Sequence, residues 1–196
     1  MQWKFPYKNG EFGINARAET LSDRQAFRNP VQTSRGLVIV NGFYEWAKTK
    51  PKKQPYYFYN SKMCNIAGEE DIKIMFLACI FKKVGTENNF TIITVDADPS
   101  VSWIHHRMPA IIYDRESALK WIDPATDVNE ATKLLKPYSQ LSYHMVSTLV
   151  GNSKNESAEC VVKIEKSEIN DLKPNASKVT KVKNEKITNY FTVSKN

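Results

Sequence analysis

No apolar run in this chain is long. "LVIV" (37–40), "PYYFYN" (55–60), "IMFLACIF" (74–81), "FTIITV" (90–95), "AIIY" (110–113) and "LSYHMVS" (141–147) each span four to eight residues. They are heavy in β-branched and aromatic side chains, which suit a pleated, half-buried surface. Turn clusters such as "KTKPKKQP" and "GTENN" separate them. Short strands at this spacing predict a mainly antiparallel sheet, barrel or sandwich.

Helices are expected to be few. "SDRQAFRN" opens with Ser22 as a cap. "DRESALKWI" puts Ala118, Leu119 and Ile122 near one stripe, capped by Asp114. "DVNEATKLLKPY" starts at Asp127 and is expected to stop at Pro137, which cannot continue a helix. The class is therefore α+β with β dominant.

With 196 residues and 41% apolar content, the chain can build one domain with a real core. Composition changes near residue 165. "EKSEINDLKPNASKVTKVKNEK" is polar, Lys-rich and free of aromatics, and reads as a disordered tail. The expected organisation is a domain over 1–163 and a basic tail over 164–196. At the tail's end, Ile187, Tyr190 and Phe191 return at helical spacing. That triplet suits a docking motif, with a chance cluster as the alternative.

The net charge of +7 favours a polyanionic partner such as nucleic acid, or an anionic membrane surface; the tail carries part of it. No stretch approaches eighteen apolar residues, so no transmembrane helix is expected. "MQWKFPYKNG" lacks the apolar centre of a signal peptide. Cys64, Cys79 and Cys160 are odd in number and far apart, which argues against a disulfide framework and a zinc site. Cys79, within "IMFLACIF", reads as a small buried hydrophobe. The setting reads as intracellular and reducing, and no metal or cofactor is expected.

Four short segments could carry chemistry. In "NGFYEW", Glu45 sits among Phe43, Tyr44 and Trp46. If "LVIVNGFYEW" is one strand, Leu37, Ile39, Asn41, Phe43 and Glu45 share a face, unless Gly42 forms a bulge. A buried carboxylate there would have its charged form disfavoured and could exchange a proton near neutral pH. A surface Glu is the competing reading. "WIHHRMP" (103–109) follows one strand and precedes another; His105 and His106 should point to opposite sides, so that only one enters a pocket. The other, with Arg107, could face a phosphate or carboxylate. A loop histidine bonded to backbone is the alternative. In "INARAET", Asn15 suits orienting a substrate and Arg17 a phosphate; an internal Arg17–Glu19 or cross-strand pair would explain it equally well. "LVGNSKN" places Asn152 and Lys154 in a loop that could bind phosphate or be an ordinary turn.

"NARAET", "GFYEW", "IHHRMP" and "VSTLVGNSKN", in that order, resemble the SOS-response-associated peptidase (SRAP) family over roughly residues 1–163. The resemblance implies a compact mixed domain around a β-rich, barrel-like core. It implies binding of single-stranded DNA and abasic sites, in a nuclear, replication-linked setting. It implies an N-terminal cysteine, exposed on methionine removal, that closes a thiazolidine on the opened abasic sugar. Carried over, Glu45 is the acid/base glutamate, also linked to methionine removal and cross-link reversal. His105 steadies the opened sugar, Asn15 lies beside the adduct and Arg17 contacts the DNA backbone. Trp3, Arg24, Arg107, Asn152 and Lys154 are further expected DNA contacts. "KITNYF" resembles a PCNA-interacting peptide anchored by Ile187, Tyr190 and Phe191, with Asn184 at the usual glutamine position.

Two departures stand out. The family begins Met-Cys-Gly-Arg, whereas this chain begins Met1-Gln2-Trp3 and has no cysteine before Cys64. It thus reads as a fragment, a shortened isoform or a truncated gene model. Gln25 also stands where family members often carry arginine, with Arg24 one position earlier. Three functions follow: an abasic-site sensor and cross-linker; a catalytically inactive single-stranded DNA-binding module using Trp3, Tyr7, Phe12 and nearby lysines; or a peptidase acting on other proteins. The last is disfavoured because no Cys or Ser is visibly paired with a base. A monomer is expected.

Overall fold

The computed structural model describes residues 1–7, 10–48, 53–61 and 74–165. Strands β1 (Gln2–Trp3), β2 (Phe5–Pro6), β3 (Phe12–Gly13) and β4 (Asn15–Arg17) precede helix α1 (Gln25–Thr33). Then come β5 (Arg35–Val40), β6 (Gly42–Ala47), β7 (Gln54–Asn60), β8 (Met75–Val84) and β9 (Glu87–Asp96). β10 (Arg107–Pro109) and β11 (Ile111–Ile112) lead into α2 (Arg115–Ile122) and α3 (Val128–Thr132), and β12 (Leu141–Met145) follows. The fold is α+β and sheet-rich, as the short runs predict. Among the described residues no helix is long and apolar enough to cross a membrane.

Among the described residues, seven strands form the main sheet, three more (β12-β7-β6) form a second, and β2 pairs with β3; no barrel closes among them. All six apolar runs become strands. The short early strands and β10 carry no such run, and they exist through pairing with β9 or each other: β1 and β4 lie parallel to β9, and β10 antiparallel to it. The β8–β9 hairpin turns at Gly85, whose φ of 61° lies in the left-handed region that glycine enters without a Cβ clash. β8 and β9 then splay. The chain from Arg107 to Ile112 fills the gap, pairing first with β9 and then with β8. Ala110, fully buried, joins both: its N–H donates to the Ile93 carbonyl and its carbonyl accepts from Ala78 N–H, each at 2.9 Å. A larger residue would push the two strands apart. This inserted strand places the "IHHRMP" segment beside the second sheet.

"LVIVNGFYEW" is not one strand. It breaks at Asn41, with β5 in the main sheet and β6 in the second. Leu37 and Ile39 therefore do not share a sheet face with Phe43 and Glu45. Nor is there a bulge at Gly42, which pairs in regular register with Tyr59. Glycine is needed there for closeness: a Cβ would lie 2.5 Å from the Phe58 carbonyl oxygen and collide with the Tyr57 ring. Gly42→Ala is expected to destabilise the protein by about 1–3 kcal/mol, as overpacking does. A denaturant titration with unchanged midpoint would show that β6 shifts freely.

The helices differ from their expected spans. α1 begins at Gln25 rather than near Ser22, and Arg24 at its N-cap contributes no side-chain bond. Ser22 instead offers its carbonyl to Arg28 Nε at 3.1 Å. Asp114 caps α2 as expected, accepting from Ser117 N–H at 2.7 Å. The buried side chains of α2, however, are Ala118 and Trp121, while Leu119 and Ile122 are exposed. α3 starts after Asp127, which accepts from Asn129 N–H at 2.8 Å, but it ends at Thr132, well before Pro137. Cys79 is buried, and that burial pushes its thiol up to about 12, consistent with a packing role. Cys64 and the whole C-terminal motif, Ile187, Tyr190 and Phe191, lie outside the described residues.

Candidate active site

A small, shallow concavity, open to solvent at its mouth, lies where the second sheet meets the inserted strand. Phe43 and Glu45 of β6 and Phe58 of β7 form one wall. Val101, Ile104, His105, Arg107 and Met108 form the other. Glu45 and His105, distant in sequence, thus share one cavity. Glu45 is half-buried, and its Oε1 accepts from Trp46 N–H at 3.3 Å. Strand alternation puts Phe43 and Glu45 on the same face, with Tyr56 opposite Glu45 and Phe58 opposite Phe43. Phe43 and Phe58 stack at 5.3 Å and 13°.

His105 is oriented by backbone. Its Nδ1 lies 3.0 Å from Arg107 N–H and 3.1 Å from the Arg107 carbonyl, so either tautomer finds a partner at that nitrogen. When Nδ1 accepts from the amide, Nε2 carries the proton and is a donor. The two histidine rings do not point to opposite sides. They stack at 4.6 Å and 27°, with His106 exposed and not lining the cavity. A bend at His106, braced by the contacts of the His105 ring with the Arg107 backbone, replaces the extended backbone that alternation would need.

Arg107 is committed within the protein. Its Nη1 donates to Glu19 Oε1 at 2.8 Å and Asp96 Oδ1 at 2.6 Å. Its Nη2 donates to Glu19 Oε2 at 2.9 Å and the Thr94 carbonyl at 2.7 Å. The two Glu19 bonds make a fork-to-fork contact, the geometry that favours arginine over lysine. Glu19 of "NARAET" is therefore a tether for "IHHRMP", and the cross-strand alternative for that segment describes it better than an Arg17 pair. Burial would pull the Arg107 pKa down, but its bonds to Glu19 and Asp96 outweigh this and raise it. The same hydrogen bond holds the Glu19 carboxyl below the usual carboxylate range. A depressed pKa contributes stability above the unfolded value and loses it as pH falls through the folded one. The advantage of wild type over Glu19→Gln should thus be present at neutral pH and vanish on acidification below about pH 4. Because Glu19 is half-exposed, it should stay under about 1 kcal/mol. Parallel pH–stability curves for the two proteins would remove the tether.

The other predicted residues lie elsewhere. Asn15 and Arg17 are exposed on β4, opposite Ile92 and Thr94 of β9, and do not line the cavity. Trp3 is half-exposed on β1 and fixed by an indole N–H bond of 2.8 Å to the Ile14 carbonyl. Phe12 is exposed nearby, with Lys4 Nζ 5.3 Å from its ring centre. Tyr7 packs inward against Phe27 at 5.9 Å. Arg24 is exposed at the start of α1. Asn152 and Lys154 are exposed in one loop, where Asn152 Oδ1 accepts from Lys154 N–H at 3.1 Å. Sequence reasoning missed Phe58, Val101, Ile104 and Met108 as cavity walls and Asp96 as a tether. Ile104 and Met108, inside "IHHRMP", lay in a chemistry-bearing segment already singled out. Among the described residues no group of three or more His, Cys, Asp or Glu is placed to hold a metal ion.

A sheet-rich α+β domain with a carboxylate and an imidazole facing one cavity defines the class. Residues 2–153 match the model of the SOS response associated peptidase (SRAP) family, and the chain belongs to that family. It is 37% identical over 180 residues to the abasic site processing protein HMCES of Gallus gallus, covering 83% of this chain and 54% of that one. It is 32% identical over 156 residues to the abasic site processing protein YedK of Escherichia coli (strain K12), covering 76% and 66%. A solved structure from Bacteroides thetaiotaomicron superposes with a TM-score of 0.64 at 29% identity, covering 77% of this chain and 66% of that one. The chain spans about half the length of the HMCES proteins it matches.

Proposed function

We propose that this protein recognises abasic sites in single-stranded DNA, seating the opened sugar between Glu45 and His105. The observation that carries the proposal is their shared cavity; the names of the relatives, abasic site processing proteins, support it. The abasic sugar exposes an aldehyde. An unprotonated amine adds to its carbon, giving a carbinolamine, which loses water to form an imine. The departing hydroxyl needs a proton, and Glu45 is the acid in reach of that role. His105, held by the Arg107 backbone, donates to a sugar hydroxyl and favours the open form. Were an N-terminal cysteine present, its thiol would then add to the imine carbon and close a thiazolidine. Methionine removal and cross-link reversal would use the same glutamate.

Trp3 and Phe12 present exposed rings near Lys4. Those exposed rings carry a second reading: a catalytically inactive single-stranded DNA-binding module. The tail's lysines would add non-specific, salt-sensitive contacts. Ile187, Tyr190 and Phe191 would dock on PCNA and place the protein at nuclear replication forks.

The test compares single-stranded oligonucleotides with and without one abasic site, on native and denaturing gels. Tighter native binding of the abasic strand is expected. An adduct that survives denaturation supports the cross-linker, and retardation on the native gel alone supports the binding module. Equal affinity for both strands would sink abasic-site recognition.

A further inference from the structure

Beside the Glu45–His105 cavity lies an aromatic surface separate from Trp3 and Phe12. Trp103 meets Tyr56 edge-on, at 5.0 Å and 81°, and Tyr143 at 5.3 Å. Tyr143 contacts Phe58 at 5.3 Å, and Phe58 stacks on Phe43. Phe43 and Phe58 line the cavity. The rings thus run without a break from the cavity to the surface, where Trp103 is 48% exposed and Tyr143 45%.

Trp103 is held in place. Val101 and Ile104 are buried on either side of it. Its turn is closed by Val101 N–H to the Asp98 carbonyl at 3.0 Å and Ile104 N–H to the Val101 carbonyl at 3.1 Å. Asp98 is itself fixed by the Ser100 amide and hydroxyl, at 2.9 and 2.7 Å. A large ring pinned on a rigid turn and left half in water is a preorganised contact surface. Its continuity with the cavity specifies the occupant. An abasic sugar leaves each neighbouring base without a stacking partner on one side. An aromatic ring beside the sugar pocket can replace the missing base, and any base offers it a π-face. The positive net charge of +7 suits the same polyanionic strand.

We infer that Trp103, backed by Tyr56 and Tyr143, stacks on the base flanking the abasic sugar and so helps distinguish a damaged strand from an intact one. This rests on the abasic-site reading and adds a base subsite to it.

The experiment is a double-mutant cycle on affinity. One partner is Trp103→Ala; the other is removal of the base on the 5′ or the 3′ side of the abasic site. Each change alone should weaken binding about tenfold. At one of the two flanks, making both should weaken it little more than either. Trp103→Phe, which keeps a ring, should retain most of the affinity, and urea unfolding checks that each variant folds. If wild type prefers abasic DNA but Trp103→Ala binds as tightly, or the two changes multiply independently at both flanks, the subsite is overturned and the surface serves a different partner. If wild type shows no preference for abasic DNA, the abasic-site reading fails and the subsite falls with it.

Discussion

Arg35→Leu is expected to lower the unfolding free energy by about 3 kcal/mol, because it strands several buried carbonyls at once. Arg35 is buried where two helices end. Its Nη1 donates to the Val31 and Gln32 carbonyls of α1, at 2.8 and 3.0 Å. Its Nε donates to the Trp121 carbonyl of α2 at 2.6 Å, and its Nη2 to the Asp123 carbonyl and, at 3.0 Å, the Thr126 carbonyl. Helix C-termini leave carbonyls unpaired and carry partial negative charge, so a cation there satisfies both needs. Burial lowers the Arg35 pKa, and the nearby Asp123 and Asp127 charges oppose that. The guanidinium also lies 5.8 Å from the centre of the Trp121 ring, whose indole N–H donates to the Gly36 carbonyl at 2.8 Å.

With a urea slope of about 2 kcal/mol/M, the midpoint should fall by roughly 1.5 M. Arg35→Lys should recover less than half of the loss, since one ammonium cannot reach all five acceptors. A leucine variant as stable as wild type would mean that the helix ends find other partners, and that Arg35 does not join α1 and α2.

The second large effect concerns chemistry. Glu45→Gln should slow adduct formation with abasic single-stranded DNA about 100-fold at saturating DNA, the low end of what a positioned acid contributes. Glutamine keeps the size of the side chain and can still accept from the Trp46 amide. It cannot deliver a proton to the departing hydroxyl. The rate is read on denaturing gels after borohydride trapping of the imine, with affinity measured separately so that weaker binding is not mistaken for slower chemistry. Unchanged kinetics would take Glu45 out of the reaction. A wild-type protein that binds abasic DNA yet yields no trapped adduct would leave the binding-module reading.

Glu45 was legible in the sequence because a carboxylate between aromatic residues is uncommon, and His105 because "IHHRMP" completes a family pattern. Their convergence was not. β6 belongs to the second sheet and His105 to the approach to the inserted strand, so the distance between them depends on how two sheets meet. Trp103 was equally silent: its exposure follows from a turn pinned by Val101 and Ile104. The error over the two histidines has a local cause. Alternation holds for regular strands, and β10 begins only at Arg107.

The sequence by itself determined the α+β class, the six strand-forming runs and the Asp114 and Asp127 caps. These are set by propensities and hydrogen bonds acting within a few residues. Tertiary structure alone decided that Arg107 would face Glu19 and Asp96, that Arg35 would close two helix ends, and that a carboxylate and an imidazole would share a cavity. A charged or polar side chain takes whichever partner the topology brings within about 3 Å, and spacing along the chain does not specify that partner.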